Sequence, residues 1–273
     1  MASTATALRR KGKRIGFVPT MGALHDGHLS LIRAARRETH VVVVSIFVNP
    51  LQFGPGEDYE RYPRDLKRDL NLAKAAGADI VFAPHVNQIY PPGFRTHVEV
   101  EGFSDQLEGA ARPGHFRGVA TIVTKLFHLV QPTVAYVGQK DYQQAVIIQQ
   151  LVKDLDFSMT IRVLPIAREP GGLAMSSRNT SFTADERRQA TVLSRALQLA
   201  KARIRDGERD PQRLIDVMRQ LIMQEPSCLV GYLAIVNAKT LEPLTRLSGR
   251  VAILGAVSMG STRLIDNVLV DVS

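Results

Sequence analysis

The sequence predicts an α/β protein, a doubly wound and mostly parallel sheet followed by a smaller C-terminal α+β domain. Three observations lead there. Strand-like and helix-like segments alternate through the first two thirds of the chain, in units of the length that right-handed strand–helix–strand crossovers need. Residues 41–48 are apolar almost without interruption, as a strand covered by helices on both faces must be. After Ile166 the order changes to helices followed by three strands, which divides the chain into residues 1–167 and 168–273 with the join near residues 167–176.

Residues 14–18 read as the first strand, and Pro19, Gly22 and Gly27 punctuate the turn after it. From His28 the apolar positions Leu29, Leu31, Ile32 and Ala35 recur at helical spacing against Arg33, Arg36 and Arg37. A helix starting between Asp26 and His28 points its unpaired backbone N–H groups and positive dipole end at the strand tip, a place that suits phosphate. His25 and His28 flank that place as donors. One histidine there would more simply cap or pack the turn, whereas the pair in His-x-Gly-His at a strand-to-helix junction favours catalysis.

Residues 63–76 are helix-like and end at Gly77, and 79–83 form the next strand. The stripe Val119, Ile122, Val123, Leu126 and Leu129 marks a helix over 119–130 that Pro132 stops. A strand over 133–137, a helix over 142–155 and a strand over 159–164 complete a Rossmann-like nucleotide-binding sheet, whose ligands lie beyond the carboxyl ends of the strands. Helices over 184–205 and 211–223, joined through Asp206-Gly207, precede strands over 232–236, 251–257 and 263–270.

The 273 residues are 45% apolar and 22% charged, enough to bury a core in one large or two ordinary domains. No apolar run approaches the roughly 20 residues of a membrane span, and residues 1–13 lack a signal-peptide apolar segment, so a soluble cytoplasmic protein is expected. The single cysteine, Cys228, excludes an intramolecular disulfide and a thiolate metal cluster. A formal charge of +9 favours anionic partners without choosing among nucleotides, nucleic acid and small carboxylates. The basic series Arg187, Arg188, Arg195, Lys201, Arg203 and Arg205 reads as a solvated helix face rather than an RNA-binding surface.

Four more segments carry chemical options. Asn49 and Gln52 follow the buried strand, where their amides either reach a ligand or satisfy the loop. Residues 137–144, VGQKDYQQ, repeat the strand–glycine–helix layout with Lys140 at the helix start. A cation at that end opposes the helix dipole, a cost that a phosphate partner would offset. Residues 112–118, RPGHFRG, form a basic turn bounded by glycine, for which a solvated loop is an equal reading. Residues 173–179, LAMSSRN, place two hydroxyls and a fixed cation at the domain join. There is no Walker phosphate loop and no G-x-G-x-x-G.

Together VPTMGALHDGH, FVNPLQF, RYPRDLKRD, RPGHFRGVAT, YVGQKDYQQ, GLAMSSRN and GSTRLIDN occur in an order and spacing that resembles the pantothenate synthetase (pantoate–β-alanine ligase) family, over about residues 12–267. The wider likeness is to nucleotidylyltransferases and class I aminoacyl-tRNA synthetases. HDGH and MSSR look like their two ATP-handling elements. The resemblance implies an ATP-dependent ligase that condenses pantoate with β-alanine through a pantoyl adenylate, giving pantothenate, AMP and pyrophosphate, with Mg2+ required. It implies that His25, His28, Lys140, Ser176, Ser177 and Arg178 handle the ATP phosphates. Pro19, Met21, Gly138, Asp141 and Met175 would line the adenosine site, with Thr20 and Ala167 in the same ATP-binding set. Gln52 and Gln144 would hold pantoate, and Asp69 matches an aspartate associated with magnesium. A homodimer is implied, with neither nucleic acid nor membrane as partner. Two departures stand out: Arg68 occupies a position that is acidic in some members, and the segment before Lys13 is short for the strand and helix with which members begin, leaving a sheet edge exposed or differently covered. An adenylyltransferase acting on another acceptor would share His25 and His28 but has no evident need of Gln52 and Gln144. A non-catalytic RNA-binding protein leaves the motifs without a purpose.

Overall fold

The computed structural model describes residues 1–260 and 262–273; Ser261, within the closing motif, lies outside them. Two compact units result: Met1–Gln139 with Gln144–Pro165, and Lys140–Gln143 with Ile166–Ser273. The first unit's elements, in chain order, are α1 (Ala2–Arg10), β1 (Ile15–Thr20), α2 (Asp26–Glu38), β2 (Val41–Ile46), α3 (Leu66–Ala76), β3 (Ile80–Phe82), α4 (Val86–Ile89), α5 (Glu108–Ala111), α6 (His115–Val130) and β4 (Val134–Gly138). Helix α7 (Tyr142–Asp154) and strand β5 (Thr160–Leu164) follow. The sheet order is β3-β2-β1-β4-β5 with every pairing parallel. Strand order therefore reverses between β1 and β4, the switch point at which doubly wound sheets leave a crevice.

Successive strand side chains alternate, so the apolar runs feed two cores. Ile15, Phe17, Val43, Ala135 and Val137 pack on one face with α6, α7 and Ala5 of α1. Val18, Val42, Val44, Val134 and Tyr136 pack on the other with Leu29, Ile32 and Ala35 of α2 and Ala73 and Ala76 of α3. The short segment before Lys13 forms a helix, Ala2–Arg10, packed on α6 and β1 with Ala5 fully buried, and the sheet edges are β3 and β5.

In the second unit, α8 (Ala184–Ala190), α9 (Val192–Arg205) and α10 (Pro211–Ile222) precede an antiparallel sheet of β6 (Cys228–Asn237), β7 (Gly249–Met259) and β8 (Thr262–Val272), in that order. Leu193, Leu197 and Ala200 of α9 and Leu214 and Met218 of α10 close over Ile235, Val251, Ile253 and Val268. This is the smaller α+β unit expected from the sequence.

Three of the boundaries that differ from the sequence reading do so for identifiable local reasons. The single helix expected over 184–205 breaks at Thr191, whose hydroxyl donates to the Arg188 carbonyl at 2.7 Å and competes with the helix ladder. Helix α3 starts at Leu66 because the Asp65 carboxylate caps Arg68 N at 2.9 Å, while the Arg64 guanidinium holds the carbonyls of Tyr59, Glu60 and Tyr62. Helix α6 begins at His115, four residues early, after Gly114 turns the chain at φ 80°. In the basic series, Arg187 pairs with Glu169, Arg195 with Glu225 and Arg188 with Asp185. Among the described residues no helix is long and apolar enough to cross a membrane.

Candidate active site

After β1 the chain passes Met21 and enters a turn with two consecutive left-handed residues, Gly22 at φ 85° and Ala23 at φ 49°. Glycine is required at the first: besides its φ, a Cβ there would lie 2.9 Å from Asp69 Oδ2 and 3.1 Å from Ile46 Cγ2. The second costs about 1–2 kcal/mol for a residue with a side chain. Asp69 offsets that strain: its Oδ2 accepts Ala23 N and its Oδ1 accepts Leu24 N, each at 2.8 Å. Hydrogen bonds to a charged group contribute about 1.5–3 kcal/mol apiece, so the carboxylate outweighs the turn. Thr20 adds to it, its hydroxyl donating to the Ser45 carbonyl at 2.7 Å and accepting Gly22 N at 3.2 Å.

The turn delivers His25 as the N-cap of α2. His25 Nδ1 accepts Gly27 N at 3.2 Å, and His28 Nδ1 accepts His25 N at 3.4 Å, with ring centroids 4.0 Å apart. With Nδ1 accepting, each neutral ring carries its proton at Nε2, the donor that an anion at the helix start needs.

Gln52 closes a 3-10 turn (Pro50–Gln52) and is buried. Its Oε1 accepts Asn49 Nδ2 at 3.1 Å, and its Nε2 lies 3.0 Å from Met21 Sδ. Asn49 Nδ2 also donates to the Gly118 carbonyl at 3.1 Å, and Asn49 Oδ1 accepts the Tyr90 hydroxyl at 2.8 Å. Burial pushes the Tyr90 phenol above its usual range, which keeps that donor protonated. Gly118 admits the turn: a Cβ there would lie 2.1 Å from the Leu51 carbonyl oxygen. The Gln52 carbonyl accepts His115 Nδ1 at 2.8 Å and Arg112 Nη2 at 3.3 Å. Arg112 also forks onto Glu57 at 2.9 and 2.6 Å and donates Nη1 to His115 Nε2 at 3.2 Å. This fixes His115 as the Nδ1–H tautomer. Burial would raise the Glu57 carboxyl, but the hydrogen bond and charge of Arg112 outweigh it and leave it below the usual value. The RPGHFRG segment is thus no solvated loop, since His115 is 8% exposed and braces Gln52 from behind.

Gly138 ends β4 and Gln144 lies half-buried in the first turn of α7, both in the first unit. In the second unit, Lys140 and Asp141 form a 3-10 turn (Gln139–Asp141 overall) with Lys140 Nζ 3.6 Å from Asp141 Oδ1. Met175 N donates to the Ala167 carbonyl at 2.9 Å, and Arg168 bridges to Ala174, so residues 167–175 form a narrow hairpin. Ser176 Oγ accepts Arg178 N at 3.3 Å and caps a second 3-10 turn (Ser177–Ser181). Asn179 Nδ2 donates to Glu169 Oε1 at 2.8 Å and to the Ala174 carbonyl at 3.0 Å, and Arg187 pairs with Glu169 and donates to the Asn179 carbonyl at 2.7 Å.

The structure therefore brings together His25 with His28, Met21 with Gln52, Met175 with Ala167, Lys140 with Asp141, and Ser176 with Arg178. Glu57 and Tyr90 enter as supports that spacing alone did not reveal, while Asn49, one of the two amides marked in the sequence, bonds the loop and Gln52. Magnesium takes near-octahedral oxygen ligands from one or two carboxylates and from substrate phosphates. Asp69 is 1% exposed, both its oxygens hold backbone N–H groups, and the Arg68 guanidinium is 3.8 Å from Oδ1. Among the described residues no three His, Cys, Asp or Glu side chains are grouped to hold a metal ion. Asp69 is thus the one carboxylate of its motif that the sequence marked for magnesium, and in this structure each of its oxygens accepts a backbone N–H of the turn.

The sequence model of the family described as "Pantoate-beta-alanine ligase" matches residues 1–269. The chain belongs to the pantoate–β-alanine ligase family. A pantothenate synthetase of Moorella thermoacetica is 54% identical over 267 residues, 98% of this chain and 94% of that protein. The crystal structure of pantothenate synthetase from Thermus thermophilus superposes with a TM-score of 0.92 at 46% identity, covering 97% of this chain and 96% of that one. A pantoate–β-alanine ligase from Francisella tularensis, complexed with beta-gamma ATP and beta-alanine, gives 0.79 at 36% identity over 98% of this chain and 95% of that one. Ligase members of this family thus share both folded units of the chain.

Two outcomes follow from the supports. Asp69→Asn turns one carboxylate oxygen into an N–H donor facing a backbone N–H, so urea unfolding in metal-free buffer should show a loss on the order of 2–3 kcal/mol. Unchanged metal-free stability, with a weakened magnesium requirement, would return Asp69 to the metal. His115 supplies the second outcome. Burial, reinforced by Arg112 and opposed by the Gln52 carbonyl, Glu108 and Glu57, lowers its pKa from 6.5 to about 4. The unfolded chain then binds more protons between those values, so stability is full above pH 6.5 and falls as pH drops toward 4, by roughly 3 kcal/mol. In His115→Gln, which keeps a donor and an acceptor, that part of the acid loss should vanish; identical pH profiles would refute the assignment.

Proposed function

We propose that this chain uses ATP to condense pantoate with β-alanine, releasing pantothenate, AMP and pyrophosphate by way of pantoyl adenylate. The observation that carries the reading is the family match over residues 1–269. Support also comes from the phosphate-binding groups concentrated at the HDGH turn and the MSSR hairpin, and from the ligands of the Francisella complex.

A carboxylate oxygen of pantoate bonds to the α-phosphorus of ATP, and the bond from that phosphorus to its bridging oxygen breaks. Pyrophosphate leaves with the electron pair. No protein nucleophile is needed, so the protein's work is alignment of two anions and compensation of charge moving onto pyrophosphate. His25 and His28 offer Nε2 protons at the start of α2, Lys140 and Arg178 offer fixed cations, and Ser176 and Ser177 offer hydroxyls. Pro19, Thr20, Met21, Gly138, Asp141, Ala167 and Met175 bind the rest of the nucleotide. Magnesium arrives on the nucleotide as part of the substrate.

Gln52 acts toward pantoate as a donor. Its Oε1 is held by Asn49, which turns Nε2 toward Met21 Sδ, a weak acceptor that an oxygen of pantoate displaces. Gln144 provides the second amide. The β-alanine amine then attacks the acyl carbon, the bond from that carbon to the phosphate oxygen breaks, AMP leaves, and the amine proton passes to solvent.

The product test comes first: ATP with pantoate should yield AMP and pyrophosphate, and ADP as product would refute attack at the α-phosphorus. His28→Ala and Lys140→Ala should each slow pyrophosphate release in the absence of β-alanine by about a hundredfold, the usual cost of one well-placed donor. With preformed pantoyl adenylate and β-alanine the loss should be far smaller, because pyrophosphate has gone. Gln52→Ala should raise the KM for pantoate much more than that for ATP.

A further inference from the structure

Strand β8 carries two adjacent polar residues in a buried setting, Asp266 at 4% and Asn267 at 2% exposure. Neighbouring side chains on a strand point to opposite faces, so the pair reaches two different segments. On one face, Asp266 Oδ2 and Oδ1 accept Arg168 Nη1 and Nη2 at 2.7 and 2.9 Å, a two-pronged charged bond. The same guanidinium donates to the Gly172 carbonyl at 2.9 Å and to Ser194 Oγ at 3.2 Å, so it fastens both sides of the hairpin that leads into Met175–Arg178. On the other face, Asn267 Nδ2 donates to the Lys140 carbonyl at 3.0 Å. The Tyr142 hydroxyl donates to the Ala238 carbonyl at 2.7 Å, fastening the same short segment a second time.

We propose that Asp266 and Asn267 are positioning residues that set the placement of Lys140 relative to Ser176, Ser177 and Arg178. Both segments hang from consecutive residues of one strand, whose rise of about 3.3 Å per residue is rigidly paired to β7. Two apolar residues would fill β8 at lower desolvation cost, so the buried charge and amide are explained by what they hold. Neither touches a reacting atom. The inference rests on the ligase reading, in which these two segments meet the ATP phosphates.

The test uses the full chain and two half-reactions, with Asn267→Ala to remove the donor to Lys140 and Asp266→Asn to remove one prong and the charge. Each should slow pyrophosphate release from ATP and pantoate about ten- to a hundredfold, the cost of ångström-scale misplacement of reacting groups. Use of supplied pantoyl adenylate with β-alanine should change far less, and the KM for pantoate should hold. If Asn267→Ala does not fold, the same split in Asp266→Asn carries the proposal. Equal loss in both half-reactions, or loss in neither, overturns it while leaving the ligase reading intact. A wild-type protein silent in both assays overturns the ligase reading, and the proposal with it.

Discussion

The Asp69 carboxylate is the interaction on which the first unit's chemistry depends. A chain leaving β1 must reverse within a few residues to start α2, and it does so through Gly22 and Ala23 at positive φ. Two backbone N–H groups in that turn face inward, and nothing in the turn itself satisfies them. One buried anion on α3 accepts both, which fixes the direction in which α2 begins and so the place of His25 and His28.

The supports behind Gln52 follow the same logic with many groups serving one. There a neutral histidine and an ion-paired arginine converge on a single carbonyl, and a tyrosine orients the asparagine that orients the glutamine. Each partner leaves its neighbour one choice of tautomer or amide direction. The Gln52 amide is thereby held in one direction, and a group fixed in advance loses less entropy when it meets a partner.

Much of the fold was legible because it is written in local periodicity. The apolar runs at Val41–Ile46 and Val134–Gly138 and the helical stripes beside them pointed to the parallel sheet, and the change of order after Ile166 marked the antiparallel unit. Boundaries were less legible, since Thr191, Asp65 and Gly114 act through single hydrogen bonds or one dihedral angle. The HDGH turn was readable as a helix start, yet Asp69, 45 and 46 residues away from the amides it holds, was not readable as its brace. Distance in sequence likewise concealed Glu57 from Arg112 and Tyr90 from Asn49, separated by 55 and 41 residues. Motif resemblance supplied candidate ligands; only the folded chain distinguishes residues aimed at a ligand from residues that hold those residues still.

The tie between Asn267 and Lys140 has a consequence for the order in which the protein is made. The two residues are 127 positions apart, so Lys140 emerges during synthesis long before the amide that anchors its carbonyl exists. The parallel sheet needs nothing beyond Leu164 to pair its strands, and it can condense while the later strands are still being added. The lysine turn is then an unfinished loop on a finished sheet until β8 is laid beside β7. A nascent or C-terminally clipped chain would accordingly keep its first core and its HDGH turn while the Lys140 turn lacks its anchor on β8.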